Sequence, residues 1–163
     1  MTHAPTVALV ALLLSLTGSC IRYSFSGSTL PAHLKSVEIP LVENLSPRVG
    51  LEEKLRESVY GAFTALNVLR VTESGGDAAL NMKILSYDNV PDEYDAAGNV
   101  KTYKAVVTVD VSFRDQKENE ILFEDKVVGT AVYDHRVERE EAGMERAVKR
   151  VSEIILNNTV SGW

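Results

Sequence analysis

The sequence predicts an α+β fold, a two-layer α/β sandwich in which two helices pack on one face of a mostly antiparallel sheet. Two segments carry apolar residues at helical spacing, and two long segments alternate apolar and polar residues across a short turn. Each helix has one apolar stripe and the sheet has one apolar face, so laying both helices on that face buries all three. The expected element order is β-α-β-β-β-α.

The first strand and the first helix come from residues 36–66. Ser36 to Val42 alternates, with Val37, Ile39 and Leu41 on one side, and Pro40 indicates an edge strand or a local break. After a loop rich in Pro and Gly, one apolar stripe predicts an amphipathic helix, formed by Leu51, Leu55, Val59, Ala62, Phe63 and Leu66.

The remaining strands follow the first helix. A short strand candidate, Val68 to Thr72, precedes the alternating segment Ala79 to Tyr87. The clearest strand is Tyr103 to Arg114, and the turn Asp115 to Glu120 joins it to Ile121 to Tyr133 as a hairpin. A C-terminal helix is indicated by the apolar stripe of Met144, Ala147, Val148, Val151, Ile154 and Ile155.

Composition limits the function classes. The chain has 163 residues, 45% hydrophobic and 25% charged, which is typical of one globular domain. Its net charge of -6 lies entirely beyond Cys20, because the first charged side chain is that of Arg22. Affinity for nucleic acid comes mainly from Lys and Arg, so an acidic domain argues against a nucleic-acid partner.

The N-terminal segment predicts export and lipid attachment. Val7 to Leu16 is an apolar run of signal-peptide length, too short to span a bilayer permanently. The small residues Gly18 and Ser19 precede Cys20, the sole cysteine, as in a lipobox. We therefore predict a signal peptide over 1–19, lipidation at Cys20, a lipidated N-terminus and tether over 20–35, and a single domain over 36–163. The alternative is a buried free cysteine at the end of a hydrophobic N-terminal helix.

No catalytic, metal or cofactor site is predicted. His33 and His135 have no partner at metal-ligand spacing and are interpreted as plain surface histidines. Carboxylates cluster at Asp88, Asp92, Glu93 and Asp95, in an expected long loop between the third and fourth strands, but without the spacing of a calcium loop. Acidic loops of this kind are usually solvated, so the protein is expected not to be an enzyme, and its ligand-binding residues stay unknown.

Together with the lipobox and the element order, several loop residues resemble the LptE-type family of lipopolysaccharide-assembly lipoproteins. The resemblance covers nearly everything from Cys20 on and depends on residues 20–25, Leu30, Pro31, residues 35–40, Glu43, Asn44, residues 94–98, Tyr103, Asp115 and Tyr133. It implies an outer-membrane lipoprotein, facing the periplasm or a barrel lumen, that assists assembly of the β-barrel lipopolysaccharide translocon and plugs it. It also implies contact with lipopolysaccharide itself, for which Lys and Arg would have to meet phosphates.

Two other functions stay open. A periplasmic lipoprotein adaptor or pilotin would share the anchor and the domain without a lipopolysaccharide role. A membrane-tethered hydrolase would require a catalytic constellation that the sequence does not display.

Overall fold

The computed structural model describes residues 30–160. In chain order, this range forms strands β1 and β2, helix α1, strands β3 to β6 and helix α2. Their bounds are β1 Ser36–Glu38, β2 Glu43–Asn44, α1 Leu51–Leu66, β3 Arg70–Thr72, β4 Ala78–Tyr94, β5 Val100–Asp115, β6 Glu120–Tyr133 and α2 Glu140–Val160. The predicted α+β fold is confirmed, with two helices on one face of a mostly antiparallel sheet.

The sheet combines a short parallel part with a long antiparallel part. Its strand order is β3-β1-β4-β5-β6, and β2 pairs with β4 beyond the end of β1. The short strands β1, β2 and β3 make parallel pairs, whereas β4, β5 and β6 form an antiparallel meander. Strand β6 is therefore one edge of the sheet.

The hydrophobic core lies between the sheet and the two helices. On β5, Val107, Val109 and Val111 are buried while Asp110 is exposed, which confirms the predicted alternation. The helices contribute one stripe each, at four-residue spacing from Leu51 to Phe63 in α1 and at mixed three- and four-residue spacing from Met144 to Ile155 in α2. Burying one apolar face of every element stabilises this two-layer arrangement.

Polar contacts fix the two helices beside one another. Lys54 on α1 forms an ion pair with Glu145 on α2 at 2.9 Å, and the hydroxyls of Ser58 and Ser152 lie 2.9 Å apart. Helix α1 ends at Asn67, whose left-handed backbone lets its N–H bond the carbonyl of Phe63 at 3.2 Å. The two helices thus form one layer.

The first predicted strand is broken. Pairing stops after Glu38 and resumes as β2 at Glu43, so the segment around Pro40 leaves the sheet. Val37 and Ile39 are buried as expected, but Leu41 is 85% exposed. Proline has no N–H to donate to a ladder, which accounts for the break and for the different environment of Leu41.

The prediction of a long loop between the strands expected at Ala79 to Tyr87 and Tyr103 to Arg114 is wrong. Strand β4 continues to Tyr94 and β5 begins at Val100, so a turn of residues 95–99 joins the two strands. Register shifts between Pro91 and Glu93 and between Glu93 and Tyr94 absorb the irregular sequence. The acidic and proline residues that suggested a loop therefore lie within β4, toward the end where it pairs with β5 alone.

Candidate functional site

Cys20, the predicted lipidation site, lies outside the described residues. What the structure describes is where the chain leading from it joins the domain. We call this end of the sheet the base; it carries the turn between β5 and β6 and the loop before β4. The opposite end, at residues 95–99, is the tip.

At the base, Asp77 holds the start of β1. Its carboxylate accepts hydrogen bonds from the backbone N–H groups of Lys35 and Ser36 at 2.9 and 3.0 Å, and from the Ser36 hydroxyl at 2.9 Å. The ammonium of Lys117 lies 2.7 Å from its other oxygen. The bond from Lys117, followed by those from Lys35 and Ser36, holds the pKa of Asp77 well below its usual range.

A second carboxylate at the base, Asp115, binds His33. The side chain of Asp115 is 1% exposed, contacts Nε2 of His33, and accepts the N–H groups of Lys117 and Glu118 at 2.8 and 3.1 Å. Burial acts to raise the pKa of Asp115, but the hydrogen bonds from Glu118, His33 and Lys117 outweigh it and the pKa is lowered. The interpretation of His33 as a plain surface histidine is therefore wrong.

His135 is exposed, and its ring lies edge-on to the ring of Tyr103, with centroids 5.3 Å apart. This contact lies beside the upper end of β6, away from the base. Asn89 and Tyr133 form a hydrogen bond at 2.9 Å in the same region. Tyr133 is buried and its ring packs against Gly143 of α2, so these groups help to join the helix to the sheet.

The face of the sheet away from the helices, here called the open face, is the largest uncovered surface of the three long strands. In its lower half, Lys83, Asp110 and Lys126 stand opposite one another on β4, β5 and β6. Glu43 forms an ion pair with Lys83 at 3.0 Å. The next row consists of Asn81, Ser112 and Glu124, and together with Leu41 these rows border a shallow cavity of about 530 Å³.

The upper half of the open face is more apolar. One row across the sheet is Val90, Lys104 and Val132, with both valines partly exposed. Lys104 forms an ion pair with Asp92. The open face thus offers charged side chains near the base and valine or threonine side chains toward the tip.

The predicted acidic cluster does not form a single site. Asp92 pairs with Lys104, Glu93 pairs with Lys101 at 3.2 Å, and Asp88 is exposed on β4. Asp95 closes the tip turn by accepting the N–H groups of Ala97 and Asn99, both at 2.9 Å. Within residues 30–160, no three His, Cys, Asp or Glu side chains are grouped as a metal site. Neither helix in that range is long and apolar enough to cross a membrane.

Comparison with known proteins identifies one family. The family model described as "LptE: Lipopolysaccharide-assembly" matches residues 34–159, which is most of the chain. No curated protein sequence matches this chain.

Several solved structures share the fold at low sequence identity. Protein XCC0632 from Xanthomonas campestris is 14% identical with a TM-score of 0.56, over 82% of this chain and 91% of that one. The PelC dodecamer from Paraburkholderia phytofirmans is 14% identical with a TM-score of 0.54, over 83% and 95%. A candidate lipoprotein from Caulobacter crescentus is 15% identical with a TM-score of 0.52, over 72% and 86%. At these identities the likeness shows the fold alone.

Proposed function

Because the chain belongs to the LptE family of lipopolysaccharide-assembly proteins, we propose that it is an outer-membrane lipoprotein that assists assembly of a β-barrel lipopolysaccharide translocon and plugs that barrel. Residues 1–19 are its signal peptide, Cys20 carries the lipid, residues 20–35 are the tether, and the domain faces the periplasm or the barrel lumen. The partner is the barrel protein, and the function is assembly and transport rather than catalysis.

The single observation that supports plugging best is the open face. Three strands of 14 to 17 residues present it, and the helices cover only the opposite face. The lumen of a transmembrane barrel is polar, so a lodged domain must offer it hydrogen-bonding and charged groups. The rows of Lys83, Asp110 and Lys126 and of Asn81, Ser112 and Glu124 supply such groups on a continuous surface.

The base supports the placement of the lipid anchor. Asp115 and Asp77 hold His33, Lys35 and Ser36 at one end of the sheet, so the tether reaches the domain there. Two or three acyl chains on Cys20 would hold the protein stably at a membrane, whereas a single chain would not. In this arrangement the open face extends away from the point of attachment.

Depletion of the protein from its native cell tests the proposal. We expect lower levels of assembled barrel protein, because the barrel would lose the domain that supports its assembly. We also expect sensitivity to vancomycin, which a normal outer membrane excludes. The measurements are barrel abundance in isolated envelopes and the inhibitory concentration of vancomycin.

A complemented strain controls for indirect effects. Expression of the wild-type chain should restore both barrel abundance and drug exclusion. Unchanged barrel levels together with an intact permeability barrier in depleted cells would refute the assembly function and favour a periplasmic adaptor or pilotin.

A further inference from the structure

Strand β6 presents an unpaired edge along the side of the domain. It pairs with β5 on one side, and none of the other strands in residues 30–160 lies on its other side. The guanidinium of Arg146 donates to the carbonyl oxygen of Val132 at 3.1 Å, which places that carbonyl on the outer side. Residues of an antiparallel strand alternate between bonding the neighbour and facing away from it. The register with β5 is unbroken from Tyr133 to Phe123, so Thr130 and Val128 also face outward.

Positive side chains line this edge on the helix side. A cavity of about 380 Å³ is lined by residues 130–132 of β6 and by Arg146, Lys149, Arg150 and Glu153 of α2. Arg146 pairs with Glu138 at 2.6 Å and Arg150 with Glu153 at 3.3 Å. Within residues 30–160, the ammonium of Lys149 forms no ion pair. Three cations beside two carboxylates make this strip locally basic on a chain whose net charge is -6.

The opposite side of the edge is apolar. Val128 and Val132 project from β6 onto the open face, and each is 45% exposed. An added strand would therefore meet cations on the helix side and valines on the open side. Because side chains alternate between the two faces of a strand, the fitting segment carries acidic residues at every second position and apolar or β-branched residues between them.

We propose that an extended acidic segment of the barrel protein adds to the β6 edge as a further strand of the sheet. This inference rests on the proposed function, since it names the barrel as the source of the segment. Backbone hydrogen bonds to Val128, to Thr130 and to the N–H of Val132, whose carbonyl is held by Arg146, provide the affinity, as in other cases of strand addition. Carboxylates of the segment pair with Lys149 and with the two arginines, which selects an acidic sequence.

Proline at position 130 tests the backbone pairing. The N–H of Thr130 faces outward, so Thr130→Pro removes a donor to the added strand but no bond to β5; prolines are tolerated at such edge positions. In mild-detergent purification of the tagged full chain from its native envelope, we expect about tenfold less co-purified barrel protein than with wild type, the factor for one lost interfacial hydrogen bond. Thr130→Ala keeps the N–H and should co-purify normally.

Zero-length cross-linking of the wild-type complex tests the chemistry of the segment. A carbodiimide joins an amine to a carboxylate, so Lys149 should link to an acidic residue of an extended barrel segment, read by mass spectrometry. Lys149→Arg keeps the charge but removes the amine, and it should retain the barrel while losing this link. If Thr130→Pro does not fold, Lys149→Glu combined with Arg150→Glu should lower barrel recovery about tenfold by reversing two charges.

The outcomes separate the two proposals. Barrel recovery that neither Thr130→Pro nor the double reversal lowers, or a Lys149 link to a second copy of this chain, would overturn strand addition while leaving barrel assembly intact. Absence of the barrel from the wild-type purification would refute the proposed function, and strand addition by the barrel with it. A Lys149 link to an acidic barrel segment, lost in Lys149→Arg, would confirm the inference.

Discussion

Helix α2 crosses β6 at Gly129, and the crossing depends on the absence of a side chain there. A Cβ at position 129 would lie 2.3 Å from the carbonyl oxygen of Ala147 and 2.9 Å from the backbone nitrogen of Val151. It would also lie 2.5 Å from Cγ2 of Val151. Two of these three contacts involve the helix backbone, so a rotamer change cannot relieve them. Gly129→Ala should therefore displace α2 from the sheet.

The size of the effect follows from the backbone contacts. Overpacking a core costs about 1 to 3 kcal/mol when side chains can adjust. Here the helix itself must move, so we expect a loss of about 3 kcal/mol, a large part of a domain stability of roughly 5 to 15 kcal/mol. For a domain of this size, that loss lowers the melting temperature by about 10 °C.

A matched control is available at Gly61. A Cβ at this position of helix α1 meets no atom within 4 Å, and the residue is exposed. Alanine restricts the unfolded chain and favours the helix, so Gly61→Ala should raise stability by about 0.5 to 1 kcal/mol. The same substitution thus has opposite effects at the two positions.

The assay is urea unfolding followed by far-UV circular dichroism. The protein is the chain from residue 20 on, with Cys20→Ser to prevent lipid attachment, and each glycine variant is made in this background. A free energy of unfolding for Gly129→Ala within about 0.5 kcal/mol of the parent would refute the reasoning, because α2 could not then contact β6 as closely as described.

Three further predictions concern the core, the base and the anchor. Val109→Asp should unfold the domain, because a buried carboxylate costs several kcal/mol, whereas Asp110→Lys on the open face should not; equal melting temperatures would contradict this. The folded-state pKa of Asp77 is lowered, so its stabilisation is present above about pH 4 and is lost as the pH falls further. Asp77→Asn should therefore lose less stability than wild type between about pH 5 and pH 2 in denaturant titrations, and parallel curves would refute this. Cys20→Ser should abolish metabolic labelling with a radioactive fatty acid, and labelled Cys20→Ser protein would disprove the anchor.

The helices and the long strands could be predicted because each repeats a simple pattern over many residues. Leu51, Leu55, Val59 and Phe63 recur every fourth residue, and Val107, Val109 and Val111 alternate, so both patterns mark a buried face. Pairing of the short strands carries no such signal. Strand β1 has three residues, too few to show a repeat. Its pairing with β3 and β4 joins segments that are distant in the sequence, so no local pattern predicts it.

Two features of the candidate site could not be predicted from the sequence, because one depends on a register shift and the other on residues far apart in the chain. A hairpin closed at Asp115 and Glu120 would place Asp110 opposite Asp125 if the register stayed constant. An irregularity between Phe113 and Arg114 shifts the register by one residue and brings Lys126 opposite Asp110 instead. The contact between His33 and Asp115 joins positions 82 residues apart, and although Asp115 belongs to the family pattern, nothing in the sequence pairs it with His33.

With the lipid anchor that we propose at Cys20, the position of the base would also determine how the domain can meet a partner. The thirteen residues between Cys20 and Leu34 can span at most about 45 Å. Strand β4, with 17 residues, extends over about 55 Å. The distance from the base to the tip therefore exceeds the greatest distance that the tether can put between the base and Cys20. Because the open face and the β6 edge both run along this length, a partner that uses both must extend alongside the domain, as the wall of the proposed barrel would.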